Sequence, residues 1–240
     1  MLEVFDQVFI INLKSRPDRW AEIQDQLTQI GMSADSPKIM RFDAVRPADA
    51  GGFPSIGARG CFMSHLGVLD AACQAQLQRI LILEDDLDFS DAFKRTWPDS
   101  AQALRSGEWG MFYGCYEAPQ GLQAIAQIGS TLLQAPGATT IGTTPFVAFQ
   151  GPAIQTARDF LCAMLSRPPG SPEGGPMHVD GAYNWLRAQH PEIHTWASRE
   201  QLGHQRPSRT DIHDLRWYDR LPVVADLTQM ARQLKRRARR

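Results

Sequence analysis

The chain has 240 residues, 43% of them hydrophobic and 21% charged, with a formal net charge of −1. That length and balance allow one sizeable buried core and make a single domain the default. No apolar run approaches the roughly 20 residues that a bilayer-spanning helix needs, so the body reads as soluble.

In chain order, QVFIINL at Gln7 to Leu13 is an apolar, β-branched run followed by Ser15, Pro17 and Asp18, which marks a buried strand leading into a helix. Glu3 and Asp6 precede that run, and a basic n-region and a small-residue cleavage site are lacking, so it reads as a first strand and not as a signal peptide. The helix, Asp18 to Ile30, carries Trp20, Ile23, Leu27 and Ile30 on one face and stops at Gly31. A second strand is expected over Lys38 to Ala44, then a Pro- and Gly-containing excursion from Arg46 to Gly57 lying over a site. Gly60 to Gln76 has helical spacing, and the next apolar run, Ile80 to Leu83, is a central strand. Strand, helix, strand alternation implies an α/β fold with a mainly parallel sheet, whose ligands bind beyond the carboxyl ends of the strands. MFYGCY near Met111 and FVAFQ near Phe146 read as further strands. A helix over Pro152 to Leu165, a loop over Arg167 to Pro176, a helix over Asp180 to Gln189 and a short strand over His194 to Ala197 complete the pattern.

Directly after the central strand stand Glu84, Asp85, Asp86 and Asp88. Carboxylates packed this closely repel one another unless a cation neutralises them, and Mg²⁺ or Mn²⁺ would take their oxygens and bridge to nucleotide phosphates. The alternative is an acidic turn capping a helix that begins near Ser90. Cys61, Cys73, Cys115 and Cys162 form no CxxC pair, which argues against a zinc ribbon or a thioredoxin-type site and fits reduced thiols in a cytoplasmic protein. Ser64 and His65 are adjacent on one helix and so do not face each other, and no Gly-x-Ser-x-Gly turn is present, which disfavours a serine hydrolase.

Four blocks in order, INLKSRPDRW (Ile11 to Trp20), RFDAV (Arg41 to Val45), GARGCFMSH (Gly57 to His65) and LILEDDL (Leu81 to Leu87), resemble those of glycosyltransferase family 25. HVDGAYNWL (His178 to Leu186) and HQRPSRTDI (His204 to Ile212) resemble its weaker C-terminal blocks. TTPFVAFQG at Thr143 to Gly151 departs from the family pattern, as do Ala58 and Arg59. The resemblance implies a GT-A-like nucleotide-diphospho-sugar transferase fold and metal-dependent, inverting transfer of a hexose, galactose first, from a UDP-sugar to a saccharide or glycolipid acceptor in lipopolysaccharide or other surface-glycan synthesis. Mn²⁺ is the expected cofactor, with Mg²⁺ as its alternative.

On that reading Asn12, Arg16, Asp43, His65 and Asp85 are the expected donor contacts. Arg16 stands in the turn where it can reach phosphate, with a helix-surface ion pair to Asp18 or Glu22 as its alternative; Arg19 is expected in a helix-surface ion pair, and a satisfied structural histidine is the other reading of His65. Asp43 is offered to a ribose hydroxyl or a uracil edge, with loop capping as the alternative, and Asp85 to the donor sugar. The metal falls to Asp86 first, then Asp88 and Glu84, because alternate residues of an extended chain share a side; His178 or His204 would complete the set. Asp180 is the expected catalytic base, with a helix N-cap as its other reading. A non-catalytic nucleotide-sugar or glycan binder is the competing function. A metal-dependent phosphohydrolase would explain the acidic cluster but none of the ordered blocks.

The chain divides into a catalytic domain, residues 1–226, and a tail, 227–240. Leu227, Met230, Ala231 and Leu234 share a helical face, and six basic residues within 232–240 leave a charge of −7 for residues 1–231. Such a tail could rest on an anionic membrane surface, placing the protein at the inner face of the cytoplasmic membrane, with a frayed, solvated tail as the alternative; no specific nucleic-acid partner is expected.

Overall fold

The first apolar run becomes β1 (Gln7–Asn12) and is followed by α1 (Pro17–Gln29), β2 (Ile39–Asp43), α2 (Ile56–Gln74), β3 (Arg79–Glu84), β4 (Leu87–Phe89), α3 (Asp91–Ser106) and β5 (Met111–Glu117). Then come β6 (Gln127–Ile128), β7 (Leu132–Ala135), β8 (Gly142–Gln150), α4 (Pro152–Ser166), α5 (Val179–Gln189), β9 (Thr195–Ser198) and β10 (Gly203–Gln205). This computed structural model describes residues 1–118, 122, 127–128 and 131–206. The tail over 227–240 lies outside the described residues.

Eight strands form one sheet in the order β2-β1-β3-β8-β5-β9-β7-β6, and β4 pairs with β10 in a separate two-stranded ribbon. β1 runs parallel to β2 and β3, and β5 parallel to β9, while β8 is antiparallel to β3 and β5, and β7 is antiparallel to β9 and β6. Six strands therefore point one way, the mainly parallel α/β sheet expected of a GT-A-like fold.

The central strands read as continuous apolar runs because both of their faces are covered. Phe9, Ile11, Ile80, Ile82, Val147 and Phe149 pack with Phe62 and Leu69 of α2, Leu161 of α4 and Tyr183 of α5. Their alternates, Val8, Ile10, Leu81, Leu83, Phe146 and Ala148, pack with Ile23 and Leu27 of α1 and Phe93 and Trp97 of α3. The stacked Phe93 and Trp97 rings lie 5.2 Å apart, and the Trp97 indole donates to the Met1 carbonyl at 2.5 Å, which ties the buried N-terminal residues to this second layer.

One predicted boundary moves. α2 begins at Ile56, four residues before Gly60, because the Ser55 hydroxyl accepts from the Ala58 amide and caps it. Gly60 is needed there for closeness: a Cβ at that position would meet the Val45 carbonyl at 2.6 Å. The preceding excursion is pinned from α2, since Arg59 donates to the Asp49 carbonyl at 3.1 Å and its carboxylate at 2.5 Å.

Arg187 of α5 is fully buried. It donates to the Pro136 and Thr139 carbonyls at 2.6 and 2.9 Å and to Asn184 and Thr195 at 3.1 Å each, fastening the turn before β8 to the helix. Arg187→Met keeps much of the volume and strands those acceptors; a loss of about 2–4 kcal/mol of stability is expected, read by urea denaturation.

Candidate active site

The carboxyl ends of β1, β2 and β3 and the start of α2 enclose a cleft of about 730 Å³. Glu84, Asp85 and Asp86 form part of its lining, as do Arg16, Arg19 and Arg46 and the α2 residues Ser55, Ile56, Gly57, Gly60 and Cys61. A parallel sheet places its binding crevice here because loops and helix N-termini gather at the ends of its strands.

The acidic run folds in a way that strand alternation does not describe. β3 ends at Glu84, Asp85 and Asp86 make a turn, and Asp88 belongs to β4 in the other sheet. Asp86 and Asp88 therefore do not share one side of a strand, and Asp85 does not point away: Asp85 and Asp86 are 7% and 4% exposed. Asp85 accepts from Asn12 Nδ2 at 2.7 Å and from Arg19 at 2.9 Å, so the expectation that it faces the donor sugar meets a carboxylate with both oxygens engaged. Burial raises Asp85 above the usual carboxylate range, opposed by the Arg19 charge and the Asn12 hydrogen bond.

Asp86 differs in kind. Its Oδ2 accepts from Gln205 Nε2 at 3.1 Å and lies 3.9 Å from Arg19, while its Oδ1 is buried without a hydrogen-bond partner. Burial, followed by the charge of Glu84, pushes its carboxyl up to about 7, with Arg19 pulling the other way. A buried acid oxygen with no donor, among other carboxylates, is where a cation restores the missing interaction.

Behind this turn a chain of contacts joins four elements. Glu84 Oε1 accepts from Thr144 at 2.7 Å and lies 3.3 Å from His65 Nε2, and His65 Nδ1 meets the Tyr183 hydroxyl at 3.0 Å. Burial would raise Glu84, but the hydrogen bond and charge of the His65 ring and the Thr144 hydroxyl hold it below its usual value. Thr143 adopts φ +60°, rare for a β-branched residue, and its amide donates to Asp180 Oδ2 at 3.2 Å. The chain reaches Asp180 in this way. Asp180 sits in the first turn of α5, where its Oδ1 accepts from the Gly181 amide at 2.8 Å, and its charge is felt at Cys61.

Several expected site residues are placed elsewhere. His65 is fully buried, with Nδ1 at the Tyr183 hydroxyl and Nε2 at Glu84, so it stands behind Glu84 and outside the lining of the cleft. Ser64 donates to the Gly60 carbonyl at 2.6 Å and accepts from the Val45 amide at 2.8 Å, a structural hydroxyl. Arg16 pairs with Asp18 at 2.7 Å while lining the cleft, and this pairing holds the Asp18 carboxyl down at about 2. Arg19 is buried and paired with Asp85, not in the helix-surface ion pair expected of it. Asp43 is exposed and paired with Lys14. His178 is the N-cap residue of α5.

Asp88 accepts from Arg206 Nε at 3.0 Å and Nη2 at 2.6 Å, with His204 Nε2 3.7 Å away across the β4–β10 ribbon, and Arg206 also contacts Glu22. Asp88 thus has an organic cation as its partner. Among the described residues, the three His, Cys or carboxylate ligand atoms lying within 4.8 Å of one another belong to Cys61, His65 and Glu84, so Asp86, Asp88, Glu84 and a late histidine do not form the expected joint ligand set.

A mainly parallel α/β sheet with a buried acidic turn at the mouth of a strand-end cleft is the class that the geometry defines. Residues 5–113, which carry that turn and most of the cleft, match glycosyltransferase family 25 (LPS biosynthesis protein). Over 106 residues, 38% of this chain and 17% of the relative, the sequence is 30% identical to a glycosyltransferase 25 family member of Drosophila melanogaster. It is 28% identical over 127 residues, 45% of this chain and 21% of the relative, to procollagen galactosyltransferase 1 of Danio rerio. It is also 29% identical over 107 residues, 38% of this chain and 18% of the relative, to the inactive glycosyltransferase 25 family member 3 of Mus musculus. The chain spans about a fifth of the length of the curated relatives that it matches. Among the described residues no helix is long and apolar enough to cross a membrane.

Proposed function

We propose that this protein transfers a hexose, galactose first among candidates, from a UDP-sugar to a saccharide or glycolipid acceptor in surface-glycan synthesis, with inversion and with a divalent cation. The observation that carries this reading is the buried, unpartnered Oδ1 of Asp86 in the acidic turn lining the cleft. A cation fits there by the chemistry of its donors, all oxygen and close to arginines that suit phosphate, which favours Mn²⁺ or Mg²⁺. Asp86 would hold it, and when bound it supplies positive charge for the departing diphosphate.

The chain's own residues do the rest. Arg16 and Arg46 bind phosphate oxygens beside the start of α2, where the helix dipole adds to their charge. Asp43, at the carboxyl end of β2, receives nucleoside hydroxyls. Asn12 and Arg19 fix Asp85, and His65 with Thr144 fixes Glu84, so the acidic turn keeps its shape without moving to meet the donor. Asp180 accepts the proton of the acceptor hydroxyl, whose oxygen then attacks the anomeric carbon as the bond to the diphosphate breaks. The basic tail over 227–240 would hold the protein at an anionic membrane surface.

The test is a donor screen with Mn²⁺ and each uridine diphosphate hexose, read by thermal shift and by nucleotide release. One donor is expected to raise the melting temperature only with the metal present, and to be consumed when a saccharide acceptor is added. Binding without release across a broad acceptor panel would favour a non-catalytic binder, the reading that the inactive mouse relative keeps in play. No binding of any nucleotide would overturn the site.

A further inference from the structure

The acidic turn belongs to the proposed reaction, but the thiol beside it does not. Cys61 and His65 occupy positions i and i+4 on α2, so their side chains emerge on one face of the helix, and Glu84 meets them from the end of β3. One ligand atom from each lies within 4.8 Å of the other two, and His65 Nε2 is 3.3 Å from Glu84 Oε1. That separation is close to the edge of a tetrahedron built on bonds of about 2.0–2.1 Å, roughly 3.3 Å. Cys61 and Glu84 line the cleft while His65 closes the group from behind, held through Nδ1 by the Tyr183 hydroxyl. A buried histidine whose second nitrogen is fixed by a hydrogen bond is the arrangement that orients imidazole toward a metal.

We propose that Cys61, His65 and Glu84 form a binding site for a thiophilic divalent cation, Zn²⁺ by the chemistry of the ligands, separate from the oxygen-only position at Asp86. One sulfur, one nitrogen and one carboxylate oxygen suit a borderline-soft ion, and neither Mg²⁺ nor Mn²⁺ seeks a thiolate. The ion replaces the Cys61 thiol proton and any proton shared between His65 and Glu84, and these leave to solvent. Three protein ligands leave a fourth position, and with two of those ligands on the cleft wall it opens into the cleft.

Binding is tested on the purified full chain without donor or acceptor, so its failure is independent of the transferase reading. Co²⁺ serves as the spectroscopic probe. One equivalent is expected to produce thiolate-to-cobalt charge-transfer absorption in the near ultraviolet, displaced by one equivalent of Zn²⁺. The band should persist in Cys162→Ser, which removes an exposed thiol, and vanish in Cys61→Ser. Zn²⁺ affinity in Cys61→Ser should fall by more than about 100-fold, the upper end of what loss of an outer-shell partner costs. The wild-type chain supplies a check that needs no variant: one equivalent of Zn²⁺ should slow alkylation of Cys61, followed by peptide mass spectrometry, by about tenfold or more. No band in the wild type, a band retained in Cys61→Ser, or an unchanged alkylation rate would each overturn the site.

Discussion

In the proposed reaction Asp86→Asn is expected to lower sugar transfer by about 10³-fold or more, while making the cation-free protein more stable at pH 8. The two effects have one cause. In the folded chain the Asp86 carboxyl is pushed up to about 7 from an ordinary 3.8, so the native state holds a proton that the unfolded state has released across that window. Stability from this group is fully present below the unfolded value and is lost as pH rises toward the folded one. Above pH 7 the wild-type chain keeps a buried carboxylate that Asn does not create, and the difference is on the order of a few kcal/mol. Urea denaturation of both proteins in chelator at pH 5 and pH 8 measures it: Asp86→Asn should gain at pH 8 and little at pH 5. Saturating Mn²⁺ should stabilise the wild type at pH 8 and leave the variant unmoved. A variant less stable than wild type at pH 8 without metal would mean that Asp86 is already satisfied by protein groups.

Arg19→Met carries the largest expected loss of stability. Arg19 is the buried cation of the acidic turn, 2.9 Å from Asp85 and 3.9 Å from Asp86, and Met leaves Asp85 with only the Asn12 amide. Breaking a buried pair by removing one partner costs about 3–5 kcal/mol, far more than an exposed pair such as Lys14–Asp43 contributes. The loss should be larger at pH 8 than at pH 5. Asp85 already sits above the usual carboxylate range through burial, and without Arg19 it rises further, so at low pH it escapes the penalty by binding a proton. Asp85→Asn in the same chain should restore much of the stability at pH 8. An Arg19→Met protein with the same midpoint at both pH values would show that the guanidinium does not neutralise this turn. The contrast with Arg16 is direct: Arg16 pairs with the 56%-exposed side chain of Asp18, and its loss should change stability by less than about 1 kcal/mol.

The burial of Arg19 was available in the sequence. Arg19, Ile23 and Leu27 fall at i, i+4 and i+8 and are the buried residues of α1, so the apolar face of that helix already included Arg19. Val179, Tyr183 and Arg187 repeat the pattern on α5, where a buried arginine is again held on the inner face. In the TTPF segment the Thr143 amide donates to Asp180 and the Thr144 hydroxyl to Glu84, contacts between distant elements that local pattern does not report.

Much of the first half was fixed by local signals. Continuous apolar runs specified β1 and β3 because both faces of a central strand are covered, helical spacing specified α1 and α2, and carboxylates after a buried strand pointed to the candidate site. What only the tertiary structure decided is which charges meet. The turn at Asp85–Asp86 ended the alternation on which the ligand ranking rested, β10 and the residue after it brought His204 and Arg206 to Asp88, the arginine from 118 residues away, and β8 delivered Thr144 to Glu84 from 60 residues away. Periodicity reports the face of an element on which a side chain lies. The partner that satisfies a buried carboxylate depends on chain crossings far apart in sequence, and burial makes that partner decide whether the group is a charge, an acid or a place for a cation.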